Sequence, residues 1–261
     1  MISQNGFVIE TVRIRALVAY DGSAFHGFAE QRDVKTVAGE MRLAMERVFG
    51  ELQEFTCAGR TDTGVHGWGQ VVHADISRER AEQADLVRAQ RGLNKQLAPS
   101  IVIRELSIVD GAFNARFDAT ARKYRYLVLN APMANPFMAN TAWWVQDPLD
   151  IDAMNEASQA IVGEHDFTTF CRHPKTDEPV SLTRRIHDAR WSRQADDIVQ
   201  FDIEANAFCH QMVRALTGML VEIGRGRRDV SDMQRALEAK DRAAGAPLAP
   251  PRGLCLREVV Y

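Results

Sequence analysis

No apolar run in this chain approaches the roughly 20 residues that span a bilayer. The opening Met-Ile-Ser-Gln-Asn-Gly has no basic stretch followed by an apolar one. Neither a membrane span nor a secretory leader is therefore expected. Cysteine is scarce: Cys57, Cys171, Cys209 and Cys255 lie far apart, with no Cys-x-x-Cys pair. That spacing argues against a zinc ribbon or dithiol redox motif, and for reduced thiols in a cytoplasmic protein. The seven histidines show neither His-x-x-x-His nor His-Glu-x-x-His spacing, so no metal site is expected. Bulk positive charge is also missing. At a formal net charge of −3 the composition does not announce a nucleic-acid binder.

What remains is a globular composition, 46% hydrophobic and 26% charged over 261 residues, enough for one large domain or two modest ones. Charge is uneven locally. Basic residues gather between Arg172 and Arg193, at Arg225, Arg227 and Arg228, and at Arg116, Arg122, Lys123 and Arg125 beside Tyr124 and Tyr126. Each cluster reads either as a solvated face or as part of a basic groove.

The first half reads β-α-β-β-α-β. Val12–Tyr20 is rich in β-formers, and Thr36 is placed to cap a helix with Val37, Met41, Ala44 and Val48 on one stripe. Strands are expected over 55–58 and 70–76, a helix capped by Asp85 and ended by Pro99, and a strand over 101–108. In the second half, strands are expected over 124–130 and 142–145, a helix over 150–162 stopped by Gly163, and a hairpin of 184–192 with 198–205. An apolar helical stripe runs from Phe208 through Met212 to Ile223. Ser231-x-x-Gln234 fits a capping box, and a proline-rich link leads to a last strand over 254–261. The expected fold is α+β: residues 1–111 and 112–261 as two similar ferredoxin-like halves, one mainly antiparallel composite sheet with helices on one face, and a basic cleft.

Chemistry concentrates in Gly59-Arg60-Thr61-Asp62-Thr63-Gly64-Val65-His66-Gly67. One carboxylate sits between a guanidinium, two hydroxyls and an imidazole, among glycines that let the backbone turn sharply or be approached closely. A strand follows, so Asp62 lies on a constrained loop entering a sheet, a common place for chemistry. Taken alone, Asp-Thr-Gly is equally ordinary turn chemistry. It is also the triplet of aspartic proteases, but those need two carboxylates sharing a proton, and the chain has one copy.

Four further segments change the weighing: Tyr20-Asp21-Gly22-Ser23 through Gln31, Ala115-Arg116-Phe117 through Tyr126, Phe208-x-His210-x-Met212-Val213-Arg214, and Ala249-Pro250-Pro251 through Tyr261. With the Gly-Arg-Thr-Asp-x-Gly-Val-His element, and in this order, they resemble the tRNA pseudouridine synthase A family over about residues 12–261. The resemblance implies a pseudouridine synthase fold and isomerisation of uridine to pseudouridine at positions 38, 39 and 40 of the tRNA anticodon stem-loop. It further implies no cofactor or metal, tRNA as partner, and a homodimer. Carried over by motif, the catalytic residues are Asp62 as nucleophile, Arg60, Tyr124 and Arg214; Tyr124, His66, Tyr126 and Arg116 are substrate contacts. The sequence departs from the family pattern at Phe28, Thr63, Asn114 and Gln211, none of which removes a catalytic group.

Those residue types suit the chemistry. A stem uridine must be flipped into a pocket, at a cost of a few kcal/mol. An ionised aspartate can then attack the sugar or the pyrimidine, or act as a base. A nearby arginine would hold its pKa down, and a tyrosine would stack on the flipped ring or help remove the C5 proton. His66 is equally a loop-shaping residue, Tyr126 equally a core residue, and Asp21 a turn residue. A non-catalytic RNA-binding relative is the alternative, although it would have no need to retain Asp62, Arg60 and Tyr124.

Overall fold

The computed structural model describes residues 10–173 and 180–261; the opening hexapeptide, and Lys175 of the cluster between Arg172 and Arg193, lie outside the described residues. The chain divides into two compact units, one reaching to Ala119 and including Tyr261, the other Thr120–Val260. Residues 112–119 stay with the first unit because Arg13 donates to the Phe113 carbonyl and the Ala115 N–H donates to His73.

In the first unit the order is β1 (Thr11–Tyr20), α1 (Val37–Phe49), β2 (Glu54–Cys57), β3 (His66–Ser77), α2 (Arg78–Gln83), α3 (Leu86–Leu97) and β4 (Ile101–Val109). The helix starts are local chemistry. Thr36 Oγ1 accepts from the Gly39 N–H, and Asp85 accepts from the N–H groups of Val87 and Arg88. Such caps each contribute about 1 kcal/mol. β1 lies antiparallel between β3 and β4, and β2 pairs with β3, giving the order β4-β1-β3-β2. Alternation on β1 turns Ile14, Ala16 and Val18 to one face. There they meet Val72, Ala74, Ile76, Ile101 and Ile103 under Met41, Met45 and Phe49 of α1 and Leu93 of α3. Each such large apolar side chain contributes about 1.5–3 kcal/mol on burial.

The second unit runs β5 (Ala121–Leu129), β6 (Trp143–Trp144), α4 (Ile151–Gln159), β7 (Gly163–Asp166), β8 (Thr183–Arg193), β9 (Ile198–Ala205), α5 (Met212–Gly224), α6 (Asp232–Ala239) and β10 (Leu254–Val260). Its antiparallel order β10-β5-β9-β8 repeats that of the first unit, with β7 added beyond β8 and β6 a two-residue parallel pairing on β5. On β9, Val199, Phe201, Ile203 and Ala205 are buried, and Trp191 stacks on Phe201 at 4.6 Å.

Several expectations are corrected. α5 begins at Met212, so Phe208 is not on its stripe; Gln211, at φ +68, breaks the path between them. The Ser231 capping box does not form, because Ser231 is already helical and makes no side-chain cap. Instead Asp232 accepts from the Asp229 N–H and pairs with Arg235. α4 ends at Gln159, and Gly163 (φ +102) opens β7 rather than capping the helix. Cys171 and Cys209, expected as separate reduced thiols, form a disulfide with Cα atoms 5.6 Å apart. Separation along the chain misled here: the β8–β9 hairpin returns the backbone, and the Arg172 N–H donates to the His210 carbonyl.

Closing a loop across a separation of 38 residues removes unfolded-chain entropy worth roughly 4 kcal/mol. Thiol titration in denaturant without reductant should therefore read two free thiols, Cys57 and Cys255, and four after reduction. Four reactive thiols before reduction would contradict the pairing.

Candidate active site

Asp62 is half-buried on the loop between β2 and β3, and the backbone of that loop is held at several points. The Val65 N–H donates to the Asp62 carbonyl at 3.1 Å, closing a turn in which Gly64 takes φ +79. On the entering side, buried Gln70 donates to the Gly59 carbonyl at 2.7 Å, and the Ala58 N–H bonds the Val71 carbonyl. The Thr61 hydroxyl lies 2.9 Å from the buried Tyr20 hydroxyl, and the Phe28 N–H donates to the Thr61 carbonyl. The segment after β1 is pressed against this loop. A Cβ on Gly22 would lie 1.9 Å from the Val65 carbonyl oxygen, and one on Gly27, at φ +91, would lie 3.0 Å from that of Thr61. Only glycine permits both approaches.

His66 closes the same contact. Its Nδ1 is 3.1 Å from the Gly22 nitrogen and 3.1 Å from Asp21 Oδ1. A neutral ring with a bare Nδ1 accepts from the Gly22 N–H, whereas protonation of Nδ1 would turn it toward Asp21. Asp21 itself caps the short turn that follows, accepting from the Ser23 N–H. Burial raises its carboxyl pKa, but bonds from Ser23 and the nearby His66 outweigh this and leave it below the ordinary value. Of the two readings open for His66, loop shaping has direct contacts here.

Positive charge borders the loop. Burial pushes the Cys57 thiol upward, opposed by the charges of Arg60 and Arg116, which are both close enough to act on it. Arg60 is exposed, and Arg116 sits on the turn at 114–118. Arg60 and Asp62 thus share one loop of the first unit, His66 opens the strand that follows it, and Arg116 lies on the turn at 114–118. A carboxylate on a loop with a fixed backbone, in a unit that also carries exposed arginines, suits an anionic substrate whose reacting centre is brought to the acid.

Tyr124, Tyr126 and Arg214 belong to the second unit. Tyr124 on β5 packs edge-on against Phe208, ring centroids 5.2 Å apart. Tyr126, two residues on, shares its face but is 0% exposed, and its hydroxyl donates to the Pro250 carbonyl at 2.7 Å. Burial drives its phenol far above the ordinary pKa, against the pull of nearby Arg214 and Arg252. Of the two readings open for Tyr126, core packing has direct contacts here. Arg214, in the first turn of α5, donates to the Ala249 carbonyl at 2.8 Å, while the Ala249 N–H bonds the Arg214 carbonyl. That reciprocal pair anchors the proline-rich segment before β10.

Several residues of the basic clusters are ion-paired. Lys123 pairs with Glu258 at 3.0 Å, and Arg125 with Asp202 at 2.8 Å. Arg225 and Arg227 share Asp147 and Glu222. Among the described residues no group of three or more His, Cys, Asp or Glu is arranged to hold a metal ion, and no helix is long and apolar enough to cross a membrane.

Sequence reasoning missed Tyr20, Gln70 and Gly27 as supports of the loop. Gln70 alone carried a signal, a polar side chain inside an apolar strand. The departures from the family pattern have local accounts. Phe28 packs against Tyr20, and Gln211 accepts from Arg242 at 2.7 Å. Asn114 accepts from the N–H groups of Arg116 and Phe117, while Thr63 is exposed.

Residues 16–118 and 157–261 match the sequence pattern of a family described as tRNA pseudouridine synthase. A tRNA pseudouridine synthase A of Brevibacillus brevis is 41% identical over 249 residues, covering 95% of this chain and 99% of its own. That of Shewanella piezotolerans is 40% identical over 250 residues, covering 96% and 93%. Among solved structures, that of a Cbf5-Nop10-Gar1 complex covers 97% of this chain and 58% of its own at 12% identity and a TM-score of 0.32, too low to bear on the reading.

The close approach at Gly22 generates a stability test. Gly22→Ala must displace the Val65 backbone, at a cost of about 1–3 kcal/mol, read as a lower urea midpoint. An unchanged midpoint would mean the contact is not as tight as described.

Proposed function

We propose, on the premise that the chain belongs to the tRNA pseudouridine synthase family, that it isomerises uridines 38, 39 and 40 of the anticodon stem-loop, with Asp62 as its catalytic carboxylate. Isomerisation of uridine in tRNA follows from the family; the positions and the residue roles are the proposal. The observation that carries Asp62 is its place in the matched Gly-Arg-Thr-Asp element, on a loop whose backbone is fixed on both sides.

The reaction breaks the bond from C1′ to N1, turns the uracil, and joins C1′ to C5. The C5 proton leaves and N1 gains one, so atoms and electrons balance within the substrate. No external oxidant, reductant or group donor is required. Asp62 supplies either the nucleophile that holds the sugar or ring while the base turns, or the base that opens a glycal route. A fixed backbone favours either role, since misplacement by about 1 Å costs on the order of 100-fold in rate. Arg60 is given the role of steadying negative charge at Asp62 or at the neighbouring phosphate. The roles of Tyr124 and Arg214 come from the family motif: Tyr124 meets the flipped ring and assists proton removal at C5, and Arg214 steadies the anion. A homodimer and a cytoplasmic location complete the reading.

Asp62→Ala should retain tRNA binding within a few-fold and form no pseudouridine, assayed by tritium release from tRNA labelled at uridine C5. Normal turnover by this variant would refute the role. Wild-type protein that binds tRNA but releases no tritium would favour the non-catalytic alternative. Because the reaction balances without a metal, turnover should survive exhaustive dialysis against EDTA; a loss restored by added metal would contradict the scheme.

A further inference from the structure

Among the described residues of the first unit Phe117 is the most exposed aromatic side chain, at 77%, yet the turn that carries it is held at almost every backbone group. Asn114 Oδ1 accepts from the N–H groups of Arg116 (3.0 Å) and Phe117 (3.1 Å), and Asp118 Oδ2 accepts from the Asn114 N–H at 2.8 Å. The Asp118 N–H returns to the Asn114 carbonyl at 3.1 Å. The turn is then pinned to the sheet. The Ala115 N–H donates to Nδ1 of the wholly buried His73 at 3.0 Å, which leaves the ring proton on Nε2, 3.0 Å from Glu54 Oε1. Glu54 and Asp75 both bind Arg13, whose guanidinium also donates to the Phe113 carbonyl. The Tyr261 hydroxyl donates to the Ala115 carbonyl at 2.8 Å.

The same contacts pack Phe113 against His73 and Tyr261, but they leave the Phe117 ring in water. Exposing a phenyl ring forfeits the burial that an apolar residue would otherwise gain. The Arg116 guanidinium lies 5.4 Å from the Phe117 ring centroid, and Arg116 and Arg60 both act on Cys57. The ring therefore stands beside a cation, in the same unit as the Asp62 loop.

We propose that Phe117 is a stacking platform for an unpaired or flipped-out nucleobase of the tRNA substrate, with Arg116 taking the adjacent phosphate. The proposal rests on the tRNA reading above and extends it to a residue and a contact that reading does not include. A flat apolar face beside a guanidinium is the combination that unpaired nucleotides recognise: the ring takes the base and the cation its backbone. A preorganised turn lowers the ordering cost of that contact. A peptide partner would use the ring without needing the phosphate-matched cation.

The full-length protein is titrated with tRNA at several salt concentrations, for wild type, Phe117→Ala, Phe117→Trp and Arg116→Ala. Phe117→Ala should weaken binding by about 5- to 100-fold without changing the salt slope, and Phe117→Trp should restore affinity. Arg116→Ala should reduce the slope by about one. Both alanine variants should keep the wild-type melting temperature, because neither side chain is part of the core. Phe117→Ala binding tRNA as tightly as wild type, while wild type forms pseudouridine, would overturn the stacking role and leave the proposed function standing. Altered self-association with unchanged tRNA affinity would overturn it in favour of a protein interface. Absence of both tRNA binding and pseudouridine formation in the wild type would overturn the proposed function and this inference with it.

Discussion

The chemistry of the first unit depends on one backbone-to-backbone fit: the segment after β1 pressed against the loop that carries Asp62. Gly22 meets the Val65 carbonyl and Gly27 the Thr61 carbonyl at distances that admit no side chain. The fit is sealed by polar groups: Tyr20 from β1 and Gln70 from β3 bond the loop, and His66 at the start of β3 bonds the segment after β1. Each spends a buried or half-buried hydrogen-bonding group on main chain or on Thr61. The backbone that carries Asp62 consequently inherits its position from the sheet. Under the proposed function, preorganisation of this kind would let a single acid act on a base presented only briefly outside its helix.

A second tie extends the same logic to the edge of the unit. Arg13 on β1 binds Glu54 on β2 and Asp75 on β3, and Glu54 in turn meets His73. Those hydrogen-bonded charges hold the turn bearing Arg116 and Phe117. The hydrogen bonds to Asp75, with further help from its charge and that of Glu54, raise the Arg13 pKa against the lowering effect of burial. Removing one partner of such a part-buried set leaves another without compensation, which costs more than the pair itself contributes.

The sequence made the local chemistry legible and concealed whatever depends on distant segments meeting. Thr36 and Asp85 cap the helices they were expected to cap, because a cap needs only its own next three residues. The β8–β9 hairpin formed for the same reason, with Asp196 and Asp197 taking the positive φ its turn demands. Ser231 met the spelling of a capping box but not its geometry, since Asp232 and Arg235 offered a competing arrangement. The Cys171–Cys209 pairing, the burial of Tyr126 beneath Pro250, and the carboxylates that neutralise Lys123, Arg125 and Arg225 all join residues far apart in sequence. Asp62 stood out by its motif, whereas its supports Tyr20 and Gly27 were invisible as such. A tyrosine in a strand and a glycine in a loop have no distinctive spelling.

The account stands or falls on what this chain does to tRNA. The most direct measurement maps pseudouridine, nucleotide by nucleotide, in tRNA from cells with and without the gene. The account predicts that pseudouridine at positions 38, 39 and 40 is lost when the gene is absent and that pseudouridine elsewhere in the tRNA is unchanged. An unaltered anticodon stem-loop, or a loss confined to another arm, would contradict it.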